Sequence, residues 1–250
     1  MKITLPDNSS RELPEGSSGY DLAKDIGPGL AKSAVAVTID GVQKDLHDEI
    51  MTDSSVSIIT IDSDEGLEIM RHTLTAQVLA RAIKNLYPKS KLAIGPTIED
   101  GFYYDVESEE VISSDDLNKI EEEMKKIIKS KSSITKKLVS KSEAMKVFKS
   151  NKEPYKEIII NESDQDDNFQ LYYQEDEKFV DLCRGPHLPN LGFIGSFKLT
   201  KVSGAYWKGD SNNSMLTRIY GTAFNSDKDL QQHLDNLEEA LKRDHRKLGK

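Results

Sequence analysis

The first 62 residues alternate short strand-like runs around one helical run, and this order constrains the fold more than any other feature of the chain. The runs "MKITL" and "RELPEG" flank the turn-forming "DNSS", and "AVAVTIDG" ends in Asp-Gly, a hairpin signal that precedes "VQKDL". Ser17 or Ser18 is placed to cap the helical "YDLAKDIG", which we expect to stop at Gly27-Pro28-Gly29. With "SVSIITI" as the last strand, the order ββαβββ predicts a β-grasp, ubiquitin-like module.

A second, mixed unit is predicted over residues 63–225, after the acidic segment "DSDEG", which we interpret as a linker. Apolar residues at three- and four-residue steps from Leu67 to Leu86 predict one helix that ends before Pro88. Further helices are expected over 114–131, 140–151 and 227–250. Strands are expected at "KLAI", which a Gly-Pro turn follows, and at "FYYDV", "YKEIII", "FQLYYQEDEKFVDLC", "FKLTKVSGAYWKG" and "MLTRIYGTAF". The chain is therefore predicted to be an α+β protein.

Composition excludes several classes of protein. Cys183 is the only cysteine, so the chain can form neither an intrachain disulfide nor a zinc cage built from cysteines, and a reducing compartment is expected. No apolar run approaches the ~20 residues of a membrane span, and the N-terminus lacks the apolar region of a signal peptide. We therefore expect a cytoplasmic protein without membrane contact.

The charge of the chain bears on nucleic-acid binding. A net charge of −9 argues against non-specific binding of polyanions and leaves only local basic patches. The candidates are Lys198, Lys201, Lys208 and Arg218, close to the aromatic "AYW" run. Tyr206 in that run could stack on a nucleotide base, although a turn with a hydrophobic anchor explains it equally simply.

The sharpest local cluster is "DLCRGPHLPN". Cys183 and His187 are four residues apart, and the Arg-Gly-Pro between them favours a tight, non-helical turn. A thiol and an imidazole on one turn can share a metal, a proton or a polar ligand. The spacing is also consistent with a structural loop that holds a buried cysteine and a hydrogen-bonded histidine. A metal site needs further ligands, for which the helix that contains His72 is the nearest source.

Four longer strings resemble the N-terminal half of bacterial threonyl-tRNA synthetases: "LAIGPTIEDGFYYD", "VDLCRGPHLPN", "GAYWKGDSNNSMLTRIYGTAF" and "LKRDHRKLGK". The resemblance implies a TGS β-grasp domain over 1–62 and an editing domain, shared with alanyl-tRNA synthetases, over 63–225. It implies that 226–250 is a linker helix toward a class II catalytic core that these residues do not include. The implied activity is hydrolysis of mischarged seryl-tRNA(Thr), because one missing methyl gives a synthetic site only ~1–3 kcal/mol of discrimination.

By position, the resemblance implies Lys156, Cys183 and His187 as catalytic residues, with Tyr104 and Asp181 binding the substrate. His72 is the remaining catalytic candidate. The family's helix carries two histidines four residues apart, whereas here the string is "RHTLTAQVLA". Gln77 takes the second histidine position, and Thr73 takes the first when the alignment runs backward from "AIKNLYP".

His72 and Gln77 are five residues apart, which is about 500° on a regular helix, so both cannot face one pocket. Either His72 lies in an irregular first turn and still reaches the pocket, or one histidine is absent and the other replaced. Thr73 and Gln77 are then expected to contact the substrate in the place of imidazoles, together with Tyr206.

Three functions remain open from the sequence. The first is an editing hydrolase that activates water without a covalent intermediate. The second is a tRNA-binding region with weakened or lost editing, and the third is a metal-binding domain of the alanyl type. The expected partner is the acceptor end of tRNA(Thr) carrying serine. We expect no cofactor or metal in this chain, since Gln77 is a poor zinc ligand. The longer parent enzyme is implied to use ATP, magnesium and a core zinc, and to dimerise through that core.

Overall fold

A computed structural model describes residues 1–249 of the chain. Its N-terminal unit contains one mixed sheet in the order β2-β1-β5-β3-β4, in which only β1 and β5 are parallel. Its elements are β1 (Lys2–Thr4), β2 (Ser10–Glu12), α1 (Gly19–Ile26), α2 (Pro28–Ser33), β3 (Ala34–Ile39), β4 (Val42–Asp45) and β5 (Ser54–Thr60). The predicted β-grasp module is confirmed, and α1 packs on the sheet through the fully buried Leu22 and Ala23.

The ends of α1 follow the expected local chemistry, with one difference. Ser18 and Asp21 form a reciprocal capping box at its start, as the serine suggested. Gly27 ends α1, but Pro28 is the first residue of the short helix α2 and does not stop the helical path. Proline is favoured at a first helical position because its missing N–H has no partner there in any case. The observed order is therefore ββααβββ.

The second unit contains two antiparallel sheets around a central helical segment. One sheet has the order β12-β13-β8-β6 with β7 beside β8, and the other has the order β11-β10-β9. The elements are α3 (Asp64–Thr73), a π-helical segment (Leu74–Leu79), α4 (Ala80–Leu86), β6 (Lys91–Leu92), β7 (Thr97–Ile98), β8 (Gly101–Glu107), α5 (Leu117–Lys129), β9 (Ile134–Val139), α6 (Lys141–Ser150), α7 (Pro154–Glu162), β10 (Phe169–Gln174), β11 (Val180–Leu182), β12 (Ser196–Tyr206) and β13 (Met215–Phe224). The α+β class is confirmed.

The central helical segment begins earlier than the sequence suggested. Ser63 caps α3 by accepting the Gly66 N–H, so Asp64 and Glu65 of "DSDEG" form the first helical turn and not a linker. Acidic side chains are favourable there because the helix N-terminus carries partial positive charge. The segment then packs its fully buried Met70, Leu74 and Val78 into the main core.

Residues 155–160, "YKEIII", form a helix, so the predicted strand is wrong. The three consecutive isoleucines suggested a strand, but Pro154 starts α7 and the segment buries Tyr155, Lys156 and Ile160. Lys156 thereby faces the interior from a helix, where it can reach residues of β8 and β11. Strand β9 was not anticipated, because half of its residues are polar and none of its side chains is buried.

The last helix, α8 (Asp227–Leu248), was predicted, although its final expected residue, Lys250, lies outside the described residues. Ser226 caps it by accepting the Asp229 N–H. Leu237, Leu241 and Leu248 lie exposed along it. Among residues 1–249, no helix combines the length and the apolar character that crossing a bilayer requires.

Candidate functional site

An open cavity of about 840 Å³ lies between the central helical segment, α7 and the turn that follows β11. This volume is within the range of small-molecule sites. His72, Lys156, Asp181 and Cys183 line it, as does the exposed Arg184. The structure therefore places four of the sequence-predicted residues, drawn from three separate segments of the chain, around one space.

His72 and Cys183 are in direct contact at the cavity wall. The His72 Nε2 lies 2.8 Å from the Cys183 Sγ, and the sulfur also accepts the Gly185 N–H at 3.2 Å. Burial raises the pKa of the Cys183 thiol to about 12. Burial, with a smaller contribution from the Lys156 charge, lowers the pKa of His72 to about 4. At neutral pH the pair is thus a thiol beside a neutral imidazole.

His187 lies behind His72 and does not line the cavity. The His72 and His187 rings stack with their centroids 4.5 Å apart and their planes at 5° to each other. The Tyr172 ring packs edge-on against His187, with the two centroids 4.5 Å apart. The His187 Nδ1 lies 2.9 Å from the Thr73 Oγ1, which also accepts the Leu188 N–H. Burial lowers the pKa of His187 well below its ordinary value, so it too is neutral. Its position suits orientation of His72 better than contact with a substrate.

Lys156 forms a second pair of side chains in the cavity lining, a buried ion pair with Asp181. Its Nζ lies 2.9 Å from the Asp181 Oδ1, and it donates to the Tyr104 hydroxyl at 3.2 Å. Burial disfavours the charged amine, but the neighbouring Asp181 and Tyr104 outweigh it and raise the pKa of Lys156. Tyr104 is fully buried behind the lysine. The cavity therefore presents a fixed cation, which suits it to a carbonyl oxygen that gains negative charge.

Thr73 and Gln77 do not face the cavity, unlike the sequence expectation. Leu74–Leu79 is π-helical, with the Ala80 N–H bonded to the Thr75 carbonyl. Ala76 lines the cavity, whereas Gln77 is fully buried and accepts a hydrogen bond from Gln174 of β10 at 3.2 Å. The irregular turn thus follows His72 and is not the first turn of the helix, and a single imidazole of this helix reaches the cavity.

Tyr206 lies apart from these residues. It is 40% exposed at the end of β12 and does not line the cavity, and the neighbouring Trp207 packs edge-on against Tyr155.

The four candidate basic residues near Tyr206 also have partners. Lys198 pairs with Glu121, Lys208 with Glu162 and Arg218 with Asp105, at distances of 3.3, 2.6 and 2.8 Å. Lys201 lies over the Tyr220 ring. Acidic partners thus neutralise three of the four basic residues that the sequence suggested as phosphate contacts.

Among residues 1–249, one group of side chains has the composition of a metal site. It consists of His72, Cys183 and His187, whose ligand atoms lie within 4.8 Å of one another. The His72 and His187 rings lie in nearly parallel, stacked planes, so their in-plane lone pairs do not meet at one point. Zinc also binds a cysteine only as the thiolate, and it commonly takes four ligands in a tetrahedron. As arranged, these three residues do not fit a zinc ion.

Sequence reasoning missed Tyr172 and Gln174, which support His187 and Gln77 from β10. The alternation in "FQLYYQ" places both on one face of that strand, so a usable signal was present. It also missed Asp45, which accepts the His187 N–H at 2.9 Å from the N-terminal unit. No sequence signal relates residues 142 positions apart.

Comparisons with known proteins match the N-terminal unit and part of the second unit. The family described as the TGS domain matches residues 1–60, and the family described as the threonyl and alanyl tRNA synthetase second additional domain matches residues 170–220. The threonine–tRNA ligase of Hahella chejuensis is 50% identical over 248 residues, and that of Saccharophagus degradans is 51% identical over 248 residues. These alignments cover 99% of this chain but 38% of each relative, so the chain spans well under half the length of the curated relatives it matches.

Proposed function

We propose that this chain hydrolyses the ester of seryl-tRNA(Thr). The chain carries a TGS domain and the second additional domain of threonyl and alanyl tRNA synthetases, and it resembles the N-terminal region of bacterial threonine–tRNA ligase. The observation that carries the proposal is the single cavity that both the His72–Cys183 pair and the Lys156–Asp181 pair line. A neutral imidazole that can accept a proton and a fixed cation that can stabilise an oxyanion, lining one space, can together catalyse ester hydrolysis.

The proposed chemistry activates water and forms no bond to the enzyme. A thiol with a pKa of about 12 is almost entirely protonated at neutral pH, and the thiolate is the nucleophilic form. Cys183 therefore acts by holding His72. With the His72 Nε2–H donated to the Cys183 Sγ, the Nδ1 of the neutral ring can accept a proton from the attacking water and pass it to the departing ribose oxygen. Lys156 stabilises the negative charge that develops on the carbonyl oxygen, and Asp181 keeps that lysine in place.

The proposed substrate follows from the limited selectivity of the synthetic step. A pocket that binds threonine excludes serine poorly, because serine is smaller by one methyl group, so a separate hydrolytic site is needed to remove the wrong product. The acceptor end of tRNA(Thr) carrying serine is thus the proposed partner. We also place the protein in the cytoplasm, where this substrate forms. Aminoacylation with ATP and magnesium, a core zinc and dimerisation of a longer enzyme stay predictions from the resemblance.

The test is single-turnover deacylation of seryl-tRNA(Thr) by the 250-residue chain and by the variant His72→Ala. We expect a rate at least ~10²-fold lower for His72→Ala, the usual cost of removing a general acid–base group. The matched control is His245→Ala, an exposed histidine on α8, which should leave the rate unchanged. An unmodified chain no faster than buffer would refute the proposal. A seryl-thioester trapped on Cys183 would refute the water mechanism.

A second candidate is a tRNA-binding region with weakened editing. Gln77, which takes the position of the second histidine, is buried away from the cavity, so His72 is the one imidazole of this helix that lines it. This loss of an imidazole favours the second candidate. It would give salt-sensitive tRNA binding without deacylation above background.

We also propose that the site works without zinc, because the stacked imidazoles do not converge on one point. Stoichiometric zinc in metal-replete, purified protein would contradict this.

A further inference from the structure

Asp45, at the end of β4, connects the N-terminal unit to the turn that carries Cys183 and His187. Its Oδ1 accepts the backbone N–H of His187 at 2.9 Å, and its Oδ2 accepts the Tyr172 hydroxyl at 2.7 Å. Tyr172 in turn packs edge-on against the His187 ring. One carboxylate of the N-terminal unit therefore holds both the backbone of His187 and the aromatic ring that supports its side chain.

The carboxylate is itself held from several directions. Its side chain is 15% exposed, and the Lys136 Nζ lies 3.3 Å from its Oδ2. Lys136 also contacts Asp48 at 2.7 Å, and Asp48 accepts the backbone N–H of Asp45. Hydrogen bonds to a charged acceptor are stronger than those between neutral groups. Asp45 is thus a fixed anchor and not a mobile surface group.

The turn is fitted closely to this anchor. Gly185 has a φ of +66°, and a Cβ there would lie 2.1 Å from the Tyr172 hydroxyl and 3.6 Å from the Asp45 Oδ1. The same glycine donates its N–H to the Cys183 Sγ. A shift of the Asp45–Tyr172 pair would therefore move the backbone that sets the Cys183–His72 contact. Misplacement of about 1 Å can cost ~10²-fold in rate.

We propose that Asp45 is a positioning residue that the N-terminal unit contributes to the hydrolytic site. It touches neither the cavity nor the reacting atoms and acts through His187 and Tyr172. The inference rests on the proposed function for its catalytic readout. It assigns the N-terminal unit a direct part in the geometry of the site.

The test compares Asp45→Ala and Asp45→Asn with the unmodified chain in deacylation of seryl-tRNA(Thr). Asp45→Ala should lower kcat by about 10- to 100-fold with KM within about twofold, because the substrate groups stay but their alignment is lost. Asp45→Asn should recover most of kcat, because its amide oxygen can still accept the His187 N–H. The matched control is Asp53→Asn, since Asp53 accepts the Lys2 N–H in the same unit, away from the turn. It should not change either constant.

Amide hydrogen exchange at His187 provides a readout that does not depend on activity. The His187 N–H should exchange slowly in the unmodified chain and in Asp45→Asn, and rapidly in Asp45→Ala. If Asp45→Ala does not fold, Tyr172→Phe tests the same anchor by removing one hydrogen bond, and kcat should fall by about 2- to 10-fold.

The outcomes separate the two ideas. An active chain whose kcat is unchanged by both Asp45→Ala and Tyr172→Phe would overturn the positioning role alone. An inactive unmodified chain would overturn the proposed hydrolysis. In that case the hydrogen-exchange data would still test whether Asp45 anchors His187. Equal protection of the His187 N–H in Asp45→Ala and in the unmodified chain would refute the anchor, and lost protection in Asp45→Ala would support it.

Discussion

Replacing Lys156 by methionine removes the cation of a buried ion pair while keeping most of the side-chain volume. The Lys156 Nζ lies 2.9 Å from the Asp181 Oδ1, and the two side chains are 4% and 3% exposed. The substitution also removes the hydrogen bond to the Tyr104 hydroxyl. Asp181 would then keep one local partner for its carboxylate, the Leu182 N–H.

The expected cost in the free energy of unfolding is about 3–5 kcal/mol, the usual penalty for leaving one member of a buried pair without its counter-charge. A domain of this size has a total stability of about 5–15 kcal/mol, so the variant should fold but with a clearly lower denaturation midpoint. The matched control is Lys242→Met on α8, where the pair with Glu238 is 63% and 67% exposed. Exposed pairs contribute little, so that variant should change stability by less than about 1 kcal/mol.

The loss of stability in Lys156→Met should also depend on pH. Burial raises the pKa of Asp181, and removal of the lysine removes the charge that opposes this. A carboxyl whose pKa is higher in the folded than in the unfolded state stabilises the fold most at low pH, and that contribution is lost as the pH rises through the folded pKa. The deficit of Lys156→Met should therefore be smaller at pH 4 than at pH 8.

The double variant Lys156→Met/Asp181→Leu separates stability from function. Replacing both charges by apolar groups should recover most of the lost stability, while deacylation of seryl-tRNA(Thr) stays abolished. The measurements are urea denaturation at both pH values and single-turnover deacylation. A deficit below about 1 kcal/mol for Lys156→Met at pH 8 would refute a tightly coupled buried pair, and full activity of the double variant would refute the catalytic role.

Three further predictions concern the cavity and the helix behind it. The deacylation rate should stay constant from pH 8 down to about 5 and fall toward the His72 pKa of about 4, because burial keeps the ring neutral; a midpoint near 6.5, the ordinary imidazole value, would refute this shift. Gln77→His should not accelerate deacylation, since that side chain points to Gln174 and not to the cavity; a faster variant would contradict this placement. Gly95→Ala should lower the free energy of unfolding by about 1–3 kcal/mol, because the new methyl would lie 2.1 Å from the Tyr104 ring; unchanged urea denaturation would contradict this packing.

Local patterns predicted the N-terminal unit well because its signals are short-range. The strand alternation, the Asp-Gly hairpin and the Ser18 cap each act within a few residues, and the N-terminal unit contains the hairpin and the cap. The Cys183–His187 turn was visible for the same reason. What no local pattern could give is the order of the two imidazoles, with His72 at the cavity and His187 behind it. That order depends on Tyr172 and Asp45, which the fold brings from elsewhere.

The errors of the sequence prediction also have physical causes. Three consecutive isoleucines suit a strand, but in α7 the fold needs a helix that brings Lys156 to Asp181. Burial of an ion pair is a tertiary requirement, and it overrides a local preference of a few tenths of a kcal/mol per residue. The four basic residues near Tyr206 suggested a phosphate surface, but the acidic side chains that neutralise three of them lie on other elements.

The departure from the family's helix pattern is explained by the π-helical segment. One additional residue in a regular helix rotates all later side chains by about 100° about the helix axis. Either His72 would then lose its contact with Cys183, or the apolar side chains that follow would turn away from the core. A π-turn, in which the N–H bonds five residues back, takes up one residue locally. Here it begins directly after Thr73, so His72 keeps its contact with Cys183, while Leu79, Ala82 and Ile83 stay fully buried in the core. The additional residue is therefore accommodated inside the helix, where the change falls on Gln77 and its partner Gln174, and the contact between His72 and Cys183 is kept.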